Sequence, residues 1–150
     1  MSLEKDITQT SFRNEHQKAA INLIYSYNWM NERMRPFFER VDITNQQFNI
    51  LRILRGAGQP LSTLQIRQRM LDKMSDTSRI VDRLITKGLV KKVICKSDKR
   101  LVDVSITDKG KKLLEKTDKH EPEMDALLGA LSEAEAKTLN KLLDKLRNSD

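Results

Sequence analysis

A single cysteine, Cys95, in 150 residues leaves no intrachain disulfide to form. Three prolines and five glycines are too few for a fibrous or linker-like chain. Aromatic residues make up 5% of the chain and charged residues 33%, so the core must be mostly aliphatic and much of the length helix with a solvated face. No apolar run approaches the length that spans a bilayer, and the start, Met1-Ser2-Leu3-Glu4-Lys5-Asp6, has no signal peptide. These absences together point to a cytoplasmic protein with no membrane partner. There is also no glycine-rich phosphate loop, no nucleophile elbow and no cluster with metal-ligand spacing, so no enzyme activity, cofactor or metal is expected. His16 and His120 lie far apart in the sequence and lack a ligand cluster, so His120 with Glu121 and Glu123 is the one place to look for a metal site.

What is present is an uneven charge. Residues 1–43 carry six basic and six acidic side chains, and residues 111–150 carry eight basic and nine acidic. Residues 44–110 carry fourteen basic against six acidic, so the whole positive excess of the chain sits there. A diffuse surplus serves solubility, whereas a localised one is what phosphate binding requires.

Apolar periodicity divides the chain the same way. Residues up to about Phe12 read as a frayed polar arm. From Asn14 to Arg40 the positions Ala20, Leu23, Ile24, Tyr27, Met30, Met34, Phe37 and Phe38 recur at helical spacing, with Pro36 near the end. Thr44 with Gln47 reads as a capping box opening a second helix on Phe48, Ile50, Leu51 and Leu54. Gly56 to Pro60 ends it, and Leu61 adds a minimal strand. Ser62 with Gln65 opens a third helix running through Leu64, Ile66 and Met70 to Leu71. Asp72-Lys73-Met74 is a tight turn, after which Ser75 caps a fourth helix facing inward with Ile80, Val81, Leu84 and Ile85. Gly88 closes that helix. Leu89–Lys96 and Leu101–Thr107 read as two strands of a hairpin, the second burying Val102, Val104 and Ile106. From Thr107 a helical pattern resumes, bent or broken by Pro122. Ser132 with Glu135 opens a last helix striped with Leu139, Leu142, Leu143 and Leu146.

Two short helices joined by a tight turn and followed by a basic hairpin form a winged helix-turn-helix. The expected fold class is mainly α with a small β-hairpin wing (α+β), with the terminal helices forming a dimerisation region. The expected division is 1–43 for the arm and first dimerisation helix, 44–110 for the DNA-binding region and 111–150 for the C-terminal dimerisation helices. The expected dimer contacts are Leu23, Tyr27, Leu139, Leu142, Leu143 and Leu146.

These residues resemble the MarR family of bacterial transcription regulators. Asp98-Lys99-Arg100, followed five residues later by Ile106-Thr107-Asp108-Lys109-Gly110, is similar to the family's wing signature, with Ile106 for leucine. Ser75 to Leu84 is similar to its recognition helix, though Asp76 and Thr77 replace the usual pair, and Lys92 stands near a common arginine. The resemblance covers nearly the whole chain. It implies a homodimer on a pseudo-palindromic duplex DNA operator, acting as a repressor released by a small aromatic or anionic effector. It also implies Arg100 at the wing tip.

Individual residues keep two readings. Arg100 has the planar, weakly hydrated charge that suits a narrow minor groove, and Asp98 can pair with an arginine and hold the wing in shape; the other reading of both is an ordinary solvated turn charge. Ser75 and Asp76 can contact bases or simply cap the helix. Thr77, Ser78 and Arg79 are candidate base or phosphate contacts, Arg83 a phosphate contact, and Lys96 and Lys99 diffuse wing charge. Cys95 reads as a half-buried strand residue rather than a sensor thiol. Tyr25, Tyr27 and Trp29 line either an effector pocket or a core. The competing function is a winged-helix module that binds a protein partner instead of DNA.

Overall fold

The computed structural model describes residues 2–94, 96–98 and 100–148. Cys95 and Lys99 lie outside the described residues, and with them the expectations placed on those two side chains. The chain forms two compact units. One comprises the described residues up to Pro36 together with those from Ala126 onward, and the other runs from Phe37 to Asp125.

The first unit begins with α1 (Leu3–Asp6), where a frayed arm was expected. Leu3 is the reason, since it is buried, and Lys18 pairs with Glu4 beside it. Most of α2 (Glu15–Arg40) belongs to this unit, and the helix continues through Pro36 without interruption. After a 3-10 turn at Ala126–Leu128 comes α8 (Glu133–Arg147), opened by a complete capping box between Ser132 and Glu135. No residue of α8 is buried in the single chain.

The second unit is built around α3 (Asn45–Ala57). Thr44 and Gln47 form the expected capping box, and the left-handed Gly58 ends the helix. Phe48 meets Phe37 and Phe38 in edge-on and tilted contacts at 6.0 and 5.4 Å. Ile50, Leu51 and Leu54 are fully buried. Three arginines tie this core to the chain beyond the sheet. Arg55 grips Asp118 with two hydrogen bonds of 2.7 and 3.0 Å, Arg52 meets Glu121, and Arg40 meets Glu123. Asp118 and Glu123 are held below the usual carboxylate range, chiefly by their arginine partners.

The sheet has three antiparallel strands in the order β1 (Leu61–Ser62), β3 (Val102–Ile106), β2 (Val90–Ile94). Leu61 pairs with Val104, and Val104 in turn with Lys92. Only Val104 of the expected inward row is fully buried; Val102 is exposed because the hairpin tip projects beyond the core. The helix after the hairpin breaks in two, α6 (Asp108–Asp118) and α7 (Glu121–Asp125). Pro122 falls in the first turn of α7, where its missing N–H costs least. Gly110 packs so closely that a Cβ there would lie 2.3 Å from the Leu89 carbonyl oxygen. That contact seats α6 directly behind the hairpin.

Candidate nucleic-acid interface

The interface starts with α4 (Thr63–Arg69), capped by Ser62 and Gln65 in a second capping box. The helix ends earlier than expected. Met70 takes an extended conformation and buries its side chain, which leaves Leu71 on the surface rather than in the helix. Leu64 is exposed as well. Seven residues, 70–76, then separate α4 from α5 (Thr77–Thr86), in place of a three-residue turn. The Asn49 side chain accepts from the Leu71 N–H at 2.9 Å, and Asp72 accepts from the Met74 N–H at 2.9 Å.

Ser75 does not cap α5. Its hydroxyl donates to the Asp72 carbonyl at 2.7 Å and so closes the turn. The cap is Asp76, whose carboxylate accepts from the Arg79 N–H at 3.2 Å. Thr77 was expected to face DNA, yet it is 3% exposed. Its spacing from Val81 and Leu84 explains this, because steps of four and three place all three on the buried face. The Thr77 hydroxyl is buried without a hydrogen-bond partner among the described residues. Thr77 is therefore a core position and not a base contact.

Ser78, Arg79 and Arg83 are exposed, and no described residue partners their side chains. Beside them is a cleft of about 470 Å³ lined by Thr63, Leu64, Arg67 and Met74–Ser78. Sequence reasoning missed Arg67 and Met74. Met74 is 92% exposed, an unusual position for so apolar a side chain, and it stands just ahead of the recognition helix. Its place immediately before the capped helix was the available signal.

The wing holds its charge in a defined shape. Asp98 accepts from the Arg100 backbone N–H at 3.0 Å and from the guanidinium at 3.1 and 3.2 Å. The arginine side chain stays 90% exposed, so the pair orients it without hiding it. The same bonds, side chain first and backbone second, hold the Asp98 carboxyl below the ordinary aspartate range. Lys96 is exposed. Lys92 on β2 lies 3.7 Å from Asp82 on α5, linking wing and recognition helix.

In the first unit, Leu23, Tyr27, Leu139, Leu142 and Leu146 are exposed and Leu143 is half-buried. Tyr25 and Trp29 are half-buried on a cleft that also includes Lys18 and Arg33, with the Arg33 guanidinium 4.5 Å from the Trp29 ring. Tyr27 points to another face. No group of three or more metal-ligating side chains occurs among the described residues, and none of their helices is long and apolar enough to cross a membrane.

A capped recognition helix behind a turn, followed by a two-stranded wing with an exposed basic tip, defines a winged helix-turn-helix protein. The MarR family model matches residues 41–101. The multiple antibiotic resistance protein MarR of Salmonella typhimurium is 30% identical over 128 residues, covering 83% of this chain and 88% of that protein. Two solved structures are similar. A mutant of MarR from E. coli complexed with operator DNA superposes with a TM-score of 0.81 at 24% identity, over 91% of this chain and 99% of that one. NadR in complex with 4-hydroxyphenylacetate gives a TM-score of 0.68 at 26% identity, over 94% and 100%. The chain belongs to the MarR family of transcription regulators.

Proposed function

We propose that two copies of this chain dimerise through the terminal helices and bind an operator with one winged helix each, as a repressor released by a small-molecule effector. In this reading residues 44–110 form the DNA-binding region, and residues 1–43 and 111–150 the dimerisation region. Ser78 and Arg79 meet base edges in the major groove, with the Met74 side chain free to touch a thymine methyl group. Asp76 has one carboxylate oxygen to spare beyond its cap and accepts from a cytosine amino group. Arg83 and Lys96 meet phosphates, and Arg100 enters the minor groove. NadR with bound 4-hydroxyphenylacetate supports an aromatic carboxylate as the effector class.

The observation that carries this reading is the wing tip, where a 90% exposed arginine is oriented by its own aspartate in the most basic segment of the chain. The test is binding to duplex DNA by fluorescence anisotropy as salt is raised. Wild type should lose affinity steeply with salt, and Arg100→Ala should weaken binding and flatten the logarithmic slope by about 1. Unchanged affinity and slope in Arg100→Ala would remove the wing from the interface. No binding to any duplex at low salt would favour a protein partner.

A further inference from the structure

The apolar face of the hairpin does not stop where the core stops. Side chains alternate along a strand, and the register sets Val90 opposite Ile106, Lys92 opposite Val104 and Ile94 opposite Val102, so these six share one face. Val90 and Val104, at its inner end, are 2% and 1% exposed. Lys92 reaches Asp82 on α5, at 3.7 Å, so this face looks toward the recognition helix. Ile94 and Val102 come last, paired across the strands and 65% and 46% exposed. Among the described residues nothing covers them. A single exposed aliphatic side chain is ordinary, but a cross-strand pair that continues a core face into solvent is built apolar surface.

The position of the pair says what it meets. On one side is α5, which belongs to the major groove in the reading above. On the other is Arg100, which belongs to the minor groove. Between adjacent grooves of a duplex lies one sugar–phosphate ridge. Lys92 and Arg100 stand on either side of the pair along the hairpin, and their side chains stay 60% and 90% exposed beside their aspartate partners. The order of cation, apolar pair and cation complements phosphate, deoxyribose and phosphate. The acidic groups nearby do not oppose this. Asp98 is bonded to Arg100, and Asp103, opposite Val93, falls on the other face of the hairpin.

We propose that Ile94 and Val102 pack on the deoxyribose wall of the ridge between the two grooves. The proposal rests on the reading of the wing as a DNA-binding element and adds to it a contact that is apolar rather than ionic. Two properties follow from that chemistry. The contact is insensitive to salt, because no counterion is released when apolar surfaces meet. It also reads the sugar. A ribose would set a 2′-hydroxyl against the pair, and a hydroxyl buried without a partner is unfavourable.

The test measures affinity of the full chain, across a range of salt, for a duplex selected by the wild type from a random pool. The double variant Ile94→Thr, Val102→Thr keeps the β-branched shape and loses apolar surface. It should melt like wild type, bind roughly tenfold more weakly and keep the wild-type salt slope. The swap Ile94→Val, Val102→Ile conserves the apolar surface and should bind as wild type does. Unchanged affinity in the threonine variant, or a loss with a flattened slope, would overturn the proposal. A changed oligomeric state with wild-type affinity for DNA would give the pair to a second copy instead. A second series replaces nucleotides of the duplex singly by ribonucleotides or by 2′-fluoro nucleotides, which share the sugar pucker but lack the hydroxyl. Wild type should lose affinity at ribonucleotides in a restricted part of each half-site and not at their 2′-fluoro counterparts, and the threonine variant should lose it at neither. Equal losses in the two proteins would overturn the sugar contact. Arg100→Ala, run in parallel, separates the failures. If it flattens the slope while the threonine variant matches wild type, the wing binds DNA and only the sugar contact falls. If it too matches wild type, or wild type binds no duplex, the reading of the wing falls and the sugar contact falls with it.

Discussion

Thr77 and Ser78 are adjacent hydroxyl residues that face opposite ways. Thr77 puts its hydroxyl into the core without a partner among the described residues, while Ser78 is exposed at the front of the recognition helix. A buried, unpaired hydroxyl costs about 1–3 kcal/mol, and valine has nearly the same shape. Thr77→Val should therefore raise stability by about 1 kcal/mol in urea denaturation. A loss of stability instead would mean that the hydroxyl has a partner in solution. Ser78→Ala should leave stability unchanged and alter base preference within the half-site, at about 1–3 kcal/mol per lost contact. Competition between matched and singly substituted duplexes measures this, and an unaltered preference would take Ser78 out of the readout.

At the scale of elements, the Arg55 and Asp118 pair between α3 and α6 sets a pH dependence. Asp118 titrates below its ordinary value because Arg55 bonds its charged form. The pair therefore stabilises the fold above the unfolded aspartate value of about 3.9, and the contribution is lost as pH falls through the lower folded value. Both side chains are about one-third exposed, 33% and 36%, so solvent screens the pair. Asp118→Asn should cost about 1 kcal/mol at neutral pH, with the difference from wild type closing at the acid end. A difference that persists undiminished in acid would place its cause elsewhere. These elements were largely legible in the sequence. The capping boxes at Thr44, Ser62 and Ser132, the break before Pro122 and the close of α5 at Gly88 are local chemistry, and local chemistry is written in adjacent residues. The misreadings are tertiary. Ser75 and Asp76 are equally good caps on paper, and only the Asp72 carbonyl, which takes the Ser75 hydroxyl, decides between them. Met70 leaves the helix because the core has room for its side chain there, which no window of sequence reports. Thr77 is a different case. Its spacing to Val81 and Leu84 already put it on the inward face, and its polar side chain obscured that phase. The cleft lined by Val41, Leu89 and Lys112 was not legible at all, since these residues come together only through packing.

At the scale of the molecule, the first unit leaves Ile24, Tyr27, Leu128 and Leu142 exposed, and they lie in the segments 1–43 and 111–150 that carry no net positive charge. A second copy is the proposed cover. Leu142→Asp should prevent assembly, because it would bury an unpaired charge at a cost of several kcal/mol, while the winged unit keeps its fold. Sedimentation should show a dimer for wild type and a monomer for the variant, and a stable wild-type monomer at micromolar concentration would contradict this. The central claim joins that symmetry to the recognition helix: a dimer reads two copies of one half-site, inverted, with centres about 10 bp apart or a multiple of that. Selection of bound duplexes from a random pool, followed by sequencing, tests it most directly. The account predicts enrichment of an inverted repeat at that spacing. Enrichment of a single, unrepeated motif, or no enrichment over the starting pool, would contradict it.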